Sequence, residues 1–213
     1  MLDIFWEDSI LTETARYYSA KITEHGDSPQ GVDWNGIDSQ YTRFGELCRI
    51  IDLTSGFSVN DLGCGYGALL DYFIDQNISC SYYGYDVSQE MIVAASNRHK
   101  NAQKASFTIA AEPTETADFG IASGIFNVKQ SRAEDEWRTH IVQTLDQMAA
   151  TSRRGFAFNC LTSYSDPPKM RSDLFYADPC WLFDFCKRHY SRNVALLHDY
   201  GLYEFTILVR HTR

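Results

Sequence analysis

Basic residues are in short supply. The chain has 19 lysines and arginines against 28 aspartates and glutamates, a formal charge of -9. No basic run rises out of that background, which argues against a nucleic-acid partner, since phosphate neutralisation needs a concentrated positive surface. The one local pair, Arg153 and Arg154, is expected to end a helix, where cations suit the dipole. No apolar stretch approaches the roughly 18 to 20 residues that cross a bilayer, so no membrane partner is expected. The first residues carry Asp3, Glu7 and Asp8 and no basic leader region, which speaks against a secretory signal. The six cysteines are scattered, with neither a CxxC pair nor histidines at metal-ligand spacing, so they read as buried, reduced thiols and no metal is expected. These absences predict a soluble cytoplasmic protein without internal repeats or low-complexity segments.

What is present is enough apolar material for one α/β domain. With 213 residues, 44% of them hydrophobic, the chain can fill a single core and carry a cap, with little left for a second domain. Residues 1–56 read as an N-terminal helical cap. Apolar and aromatic residues fall at helical spacing over 2–24, a glycine-containing loop follows over 25–40, and a second helix is expected from about Ser39 to Leu53. Residues 57–213 read as the core. Strands are expected at 57–62, 80–86, 105–110, 118–124 and 155–162, and helices at about 66–76, 88–99, 133–150 and 179–190. That alternation predicts a doubly wound, Rossmann-like, mostly parallel seven-stranded sheet. The last two strands, 193–201 and 202–211, meet at a glycine with no helix between them and should form a C-terminal antiparallel hairpin.

The segment VNDLGCGYG, 59–67, leads from the first strand into a helix. Its glycines allow two readings, because Gly63, Gly65 and Gly67 form GxGxG while Gly63, Gly65 and Ala68 also satisfy the dinucleotide pattern GxGxxG/A. Asp61, at the strand end, would repel a pyrophosphate and suits the α-ammonium of a methionine moiety. Asp86 closes the next strand, where a carboxylate can accept hydrogen bonds from ribose hydroxyls, a feature common to both readings.

DLGCGYG followed by YYGYDVSQEMI resembles the class I S-adenosylmethionine-dependent methyltransferases, and the resemblance extends over about residues 57–211. The terminal hairpin and the lack of a second catalytic domain agree with it. It implies S-adenosylmethionine as cofactor. By the same resemblance Gly63, Cys64 and Gly65 bring backbone close to the methionine portion, Asp86 holds the ribose, and Val87 and Met91 flank the adenine or ribose. Ala111 and Glu112 match the position near the adenine amino group. Ser123 and Gly124, with Ile125 and Phe126, match the segment beside the methyl group. Gln40 and Arg43 lie one helical turn apart, and Arg43 is expected to pair with the methionine carboxylate.

The acceptor is expected to be a small molecule, methylated at O, N or C. DPPK, 166–169, follows the fifth strand and ends in Lys169 where an amino-methyltransferase of nucleic acids would carry an aromatic, so it reads as a loop. Tyr17, Tyr18, Trp34, Tyr41, Tyr164, Phe175, Tyr176 and Trp181 concentrate in the N-terminal cap and in an insertion at about 162–179, and are expected to line a closed pocket. His25 and His140 are the candidate bases; none is assigned, because a pre-positioned acceptor can react without one, and His189, His198 and His211 of the last helix and hairpin read as structural. Two other functions share part of the pattern: an NAD-dependent oxidoreductase, and a non-catalytic methyltransferase-like binding subunit. The oligomeric state is left open.

Overall fold

The computed structural model describes residues 9–34 and 36–211. Two helices come first, α1 (Ile10–His25) and α2 (Ile37–Cys48), joined by a strap that contains a 3-10 turn, Pro29–Val32. The part of the predicted first helix at 2–8 lies outside the described residues. Then follow β1 (Ser58–Leu62), α3 (Ala68–Asp75), β2 (Ser81–Asp86), α4 (Gln89–Arg98), β3 (Ala105–Ile109), β4 (Ala117–Ala122), α5 (Glu134–Ala150), β5 (Ser152–Leu161), α6 (Pro179–His189), β6 (Asn193–Leu197) and β7 (Glu204–Arg210).

Local chemistry sets the helix ends. Ser9 caps α1 by accepting from the Thr12 N–H at 3.2 Å, and Ser88 does the same for α4 from Met91. Asp178 caps α6, which begins with Pro179, where a missing N–H costs nothing. Gly26, at φ 67°, stops α1 and returns its N–H to the Ile22 carbonyl.

The seven strands form one sheet in the order β3-β2-β1-β4-β5-β7-β6. β3 through β5 pair in parallel, and β7 runs antiparallel to both β5 and β6, so the expected architecture and hairpin are present. One face packs under α5 and α6 with Phe126, Trp137, Ile141, Phe156 and Leu182. The other packs under α2, α3 and α4 with Phe44, Leu47, Phe73, Tyr82 and Leu208. Strand order reverses between β1 and β4, and at such a switch point the connections leave in opposite directions and open a crevice at the carboxyl ends of the strands.

Some expected boundaries shift. Arg153 and Arg154 do not end a helix: they sit at the start of β5, bonded to Asp118 and Asp52 across the strand ends. The 3-10 turn interrupts the expected loop, and α2 closes at Cys48 through successive turns rather than at Leu53. Of the cysteines, Cys64, Cys160 and Cys186 are buried and Cys180 is exposed; all six are free thiols. No helix among the described residues is long and apolar enough to cross a membrane, and no group of metal-ligating side chains is present among them.

Candidate active site

β1 delivers the chain into the crevice and the glycines turn it. Gly63 and Gly65 have φ of 74° and 53°, the left-handed region where a side chain is strained. The Gly63 and Cys64 N–H groups donate to the Tyr85 carbonyl at 2.8 and 3.0 Å, which ties the turn to β2. The Gly65 N–H donates to Asp86 Oδ2 at 3.0 Å, and Asp86 Oδ1 accepts from the Ser88 N–H at 2.8 Å. Asp86 is thus oriented from both sides, and each oxygen keeps a lone pair for another donor.

Two carboxylates share the crevice. Asp61 is buried and accepts from the Tyr82 hydroxyl. Burial pushes its pKa up to about 7; the Tyr82 bond opposes the rise and the nearby Asp86 charge adds to it. Burial raises Asp86 to about 6 against the pull of the backbone N–H groups of Ser88, Gly65 and Val87. Both groups would ionise more readily beside a cationic or hydroxyl-bearing ligand.

The crevice is a cavity of about 110 Å³. Its floor is the glycine turn, the β2 end with Asp86 and Val87, Ala111 after β3, and Ser123 and Gly124 after β4; Asp61, Cys64 and Met91 complete it. Its roof comes from the cap: Leu11, Thr14 and Tyr18 of α1, Val32 and Trp34 of the strap, and Gln40 and Phe44 of α2. Gln40 is held there by the Tyr66 hydroxyl at 3.2 Å. The roof sits close. A Cβ on Gly65 would lie 3.0 Å from Val32, and one on Gly63 would lie 2.2 Å from Ile125. Ser123 Oγ is buried here and has no hydrogen-bond partner among the described residues.

Eleven of the thirteen expected positions therefore come together in one cavity: Gln40, Asp61, Gly63, Cys64, Gly65, Asp86, Val87, Met91, Ala111, Ser123 and Gly124. Two do not. Glu112 is exposed and outside the lining, because the chain leaves the β3 end at Ala111 and turns to solvent. Arg43 is also outside it: its Nε donates to Glu204 at 2.8 Å, its Nη1 to the Ser39 carbonyl at 2.7 Å, and its guanidinium lies 3.9 Å from the Trp34 ring centre. Its charge is matched by a buried carboxylate rather than directed at a ligand.

The cap expectation needs a larger correction. Tyr18 and Trp34 line the cavity, whereas no residue of 162–179 does. Phe175 packs into the α5 and α6 core, Tyr164 is 70% exposed, and Trp181 lies under Arg138. Tyr41 packs on Tyr72 and bonds Asp75, Tyr17 bonds Asp33, and the Tyr176 hydroxyl accepts from the Arg171 N–H. His25 ends α1 exposed, while His140 lines the cavity together with Thr144, one turn further along α5. Burial lowers the His140 pKa, which keeps its imidazole neutral at pH 7. Sequence reasoning missed Tyr82, Asn159 and Glu204, whose partners are fixed only by strand register.

Comparison with known proteins agrees with this geometry. A family described as a methyltransferase domain matches residues 60–149. Rv1506c of Mycobacterium tuberculosis, which bears the provisional name of a methyltransferase, is 60% identical over 162 residues, covering 76% of this chain and 98% of that protein. Among solved structures, human N-acetylserotonin methyltransferase in complex with S-adenosylmethionine superposes with a TM-score of 0.68 at 14% identity, over 97% of this chain and 60% of the human one. The chain thus spans about three fifths of that enzyme's length. Magnesium protoporphyrin IX methyltransferase from Synechocystis PCC 6803, with bound S-adenosylhomocysteine, gives 0.65 at 12% identity, over 96% and 100% of the two chains. At these identities the structural likeness concerns the fold.

Proposed function

This chain belongs to the class I S-adenosylmethionine-dependent methyltransferases, and from that membership we propose that it methylates an O, N or C atom of a small, partly apolar molecule held beneath α1, the strap and α2. The observation that carries the reading is the single cavity in which the glycine turn, Asp86 and Ser123 face an apolar roof. The roof residues Leu11, Tyr18, Val32, Trp34 and Phe44 suit an apolar or aromatic body, and none of the described residues lining the cavity is Lys or Arg.

The residues present fit the cofactor. The close-packed turn leaves backbone, not side chain, facing the methionine end; Asp86 has lone pairs for the ribose hydroxyls; the unpartnered Ser123 hydroxyl can meet one further polar atom. Bound there, S-adenosylmethionine supplies a methyl group on a sulfonium, which leaves as a neutral thioether. What the chain must add is alignment and exclusion of water, and effective molarity makes positioning the larger contribution. His140, neutral and facing the cavity, would take the proton of an acceptor that starts as O–H or N–H.

The proposal is checked by incubating the protein with S-adenosylmethionine and panels of small phenols, amines and carboxylic acids, and following release of S-adenosylhomocysteine. Methylated product from one chemical class supports it. Cofactor binding with no turnover on any class, and a cavity still filled by the roof side chains in the complex, would leave a binding subunit instead.

A further inference from the structure

We propose that Glu204 is a positioning residue of the methyl-transfer site, fixing the two walls that meet at Gly124. The inference rests on the reading above, in which the cofactor lies across the glycine turn and the end of β4.

Glu204 opens β7 opposite Leu161 of β5 and is 1% exposed. Its Oε2 accepts from two sides: Arg43 Nε at 2.8 Å and Asn159 Nδ2 at 2.5 Å. Asn159, also fully buried, uses its Oδ1 to accept the Gly124 N–H at 2.7 Å. A carboxylate only accepts and a backbone N–H only donates, so the two neighbours leave the Asn159 amide one orientation. The carboxylate thereby sets the backbone of the turn after β4, through one side chain. On the other side it holds Arg43, whose guanidinium supports the Trp34 ring, and that ring lies where a Gly124 Cβ would be, 2.4 Å away. Floor and roof of the cavity at Gly124 are thus set by one carboxylate that does not line it.

The arrangement is not the one that stability alone selects. Glu204 Oε1 is buried without a partner among the described residues. A half-satisfied buried ion pair of this kind is commonly no more stable than an apolar pair of similar volume. What the pair contributes is then the orientation it imposes on Asn159 and Arg43.

The experiment is calorimetric titration of S-adenosylhomocysteine into the wild-type protein and into the double variant Arg43→Met/Glu204→Leu, with the melting temperature of each. The expected result is affinity about tenfold weaker with the melting temperature lowered by no more than roughly 5 °C, because an apolar pair replaces the ion pair while Asn159 Nδ2 loses its acceptor. A purely structural pair would leave the affinity of the folded variant, measured well below its melting temperature, at the wild-type value. Asn159→Thr keeps the Arg43–Glu204 ion pair and removes both the acceptor for the Gly124 N–H and the amide donor to Glu204; should the double variant not fold, this variant is expected to show faster hydrogen exchange at Gly124 with weaker binding. Wild-type affinity in either folded variant overturns the inference alone. A wild-type protein that does not bind at all removes the cofactor reading, and this inference with it.

Discussion

Asp61 and Asp86 are the residues at which burial and ligand chemistry meet. Their pKa values, raised to about 7 and about 6, mean that the ligand-free protein holds protons there near neutrality. A ligand that favours the carboxylates must displace those protons. Affinity for S-adenosylhomocysteine is therefore expected to rise as pH climbs from 5.5 to 8, with proton release seen as a buffer-dependent binding enthalpy near pH 6.5; a pH-independent affinity contradicts it. The same shifts act on stability. An acid that binds its proton more tightly when folded adds stability at low pH, and this contribution fades between about 4 and about 7. Asp61→Asn is expected to flatten that part of the melting-temperature profile. At the turn, Gly63→Ala places a Cβ at φ 74° against Ile125, and a cost of about 1–3 kcal/mol with loss of cofactor binding should appear in melts and titrations. His140→Gln should lower kcat for an O–H or N–H acceptor by roughly 100-fold while leaving cofactor affinity within about threefold. Equal rates for the two proteins would remove the imidazole from the chemistry.

Among the elements, the strap between α1 and α2 is the one whose role was least legible beforehand. Its glycines and proline read as loop, yet Pro29–Val32 form a 3-10 turn, Asp33 takes a left-handed conformation, and Asp33 is held by the Tyr17 hydroxyl and by Lys21 at 2.7 Å. Those contacts are long-range and leave no mark in a local pattern. Asp33→Ala is expected to speed hydrogen exchange over 26–36 and to weaken S-adenosylhomocysteine binding, since Val32 and Trp34 lose their anchor. Unchanged exchange would show that the strap is held elsewhere. The core elements were legible because a parallel sheet writes near-continuous apolar strands between amphipathic helices, and because glycine turn and acidic strand end follow in fixed order. Arg43 was misread for the same reason the strap was. Its helical face is visible from spacing, whereas Glu204 arrives from the far end of the chain.

For the whole molecule, topology decides where function can sit. The sheet order reverses between β1 and β4, the cap closes over that point, and the cavity forms there and not under the 162–179 segment. Val32 and Trp34 of the strap line the cavity, so protection of the strap in hydrogen exchange is expected to change on addition of S-adenosylhomocysteine. The measurement that tests the account most directly is a crystal structure of the protein with S-adenosylhomocysteine. The account predicts ribose hydroxyls on Asp86, the homocysteine end against Gly63–Gly65, the sulfur beside Ser123 and Gly124, and open space toward Tyr18 and Trp34. A ligand bound outside this cavity, or one whose sulfur faces away from the cap, would contradict it.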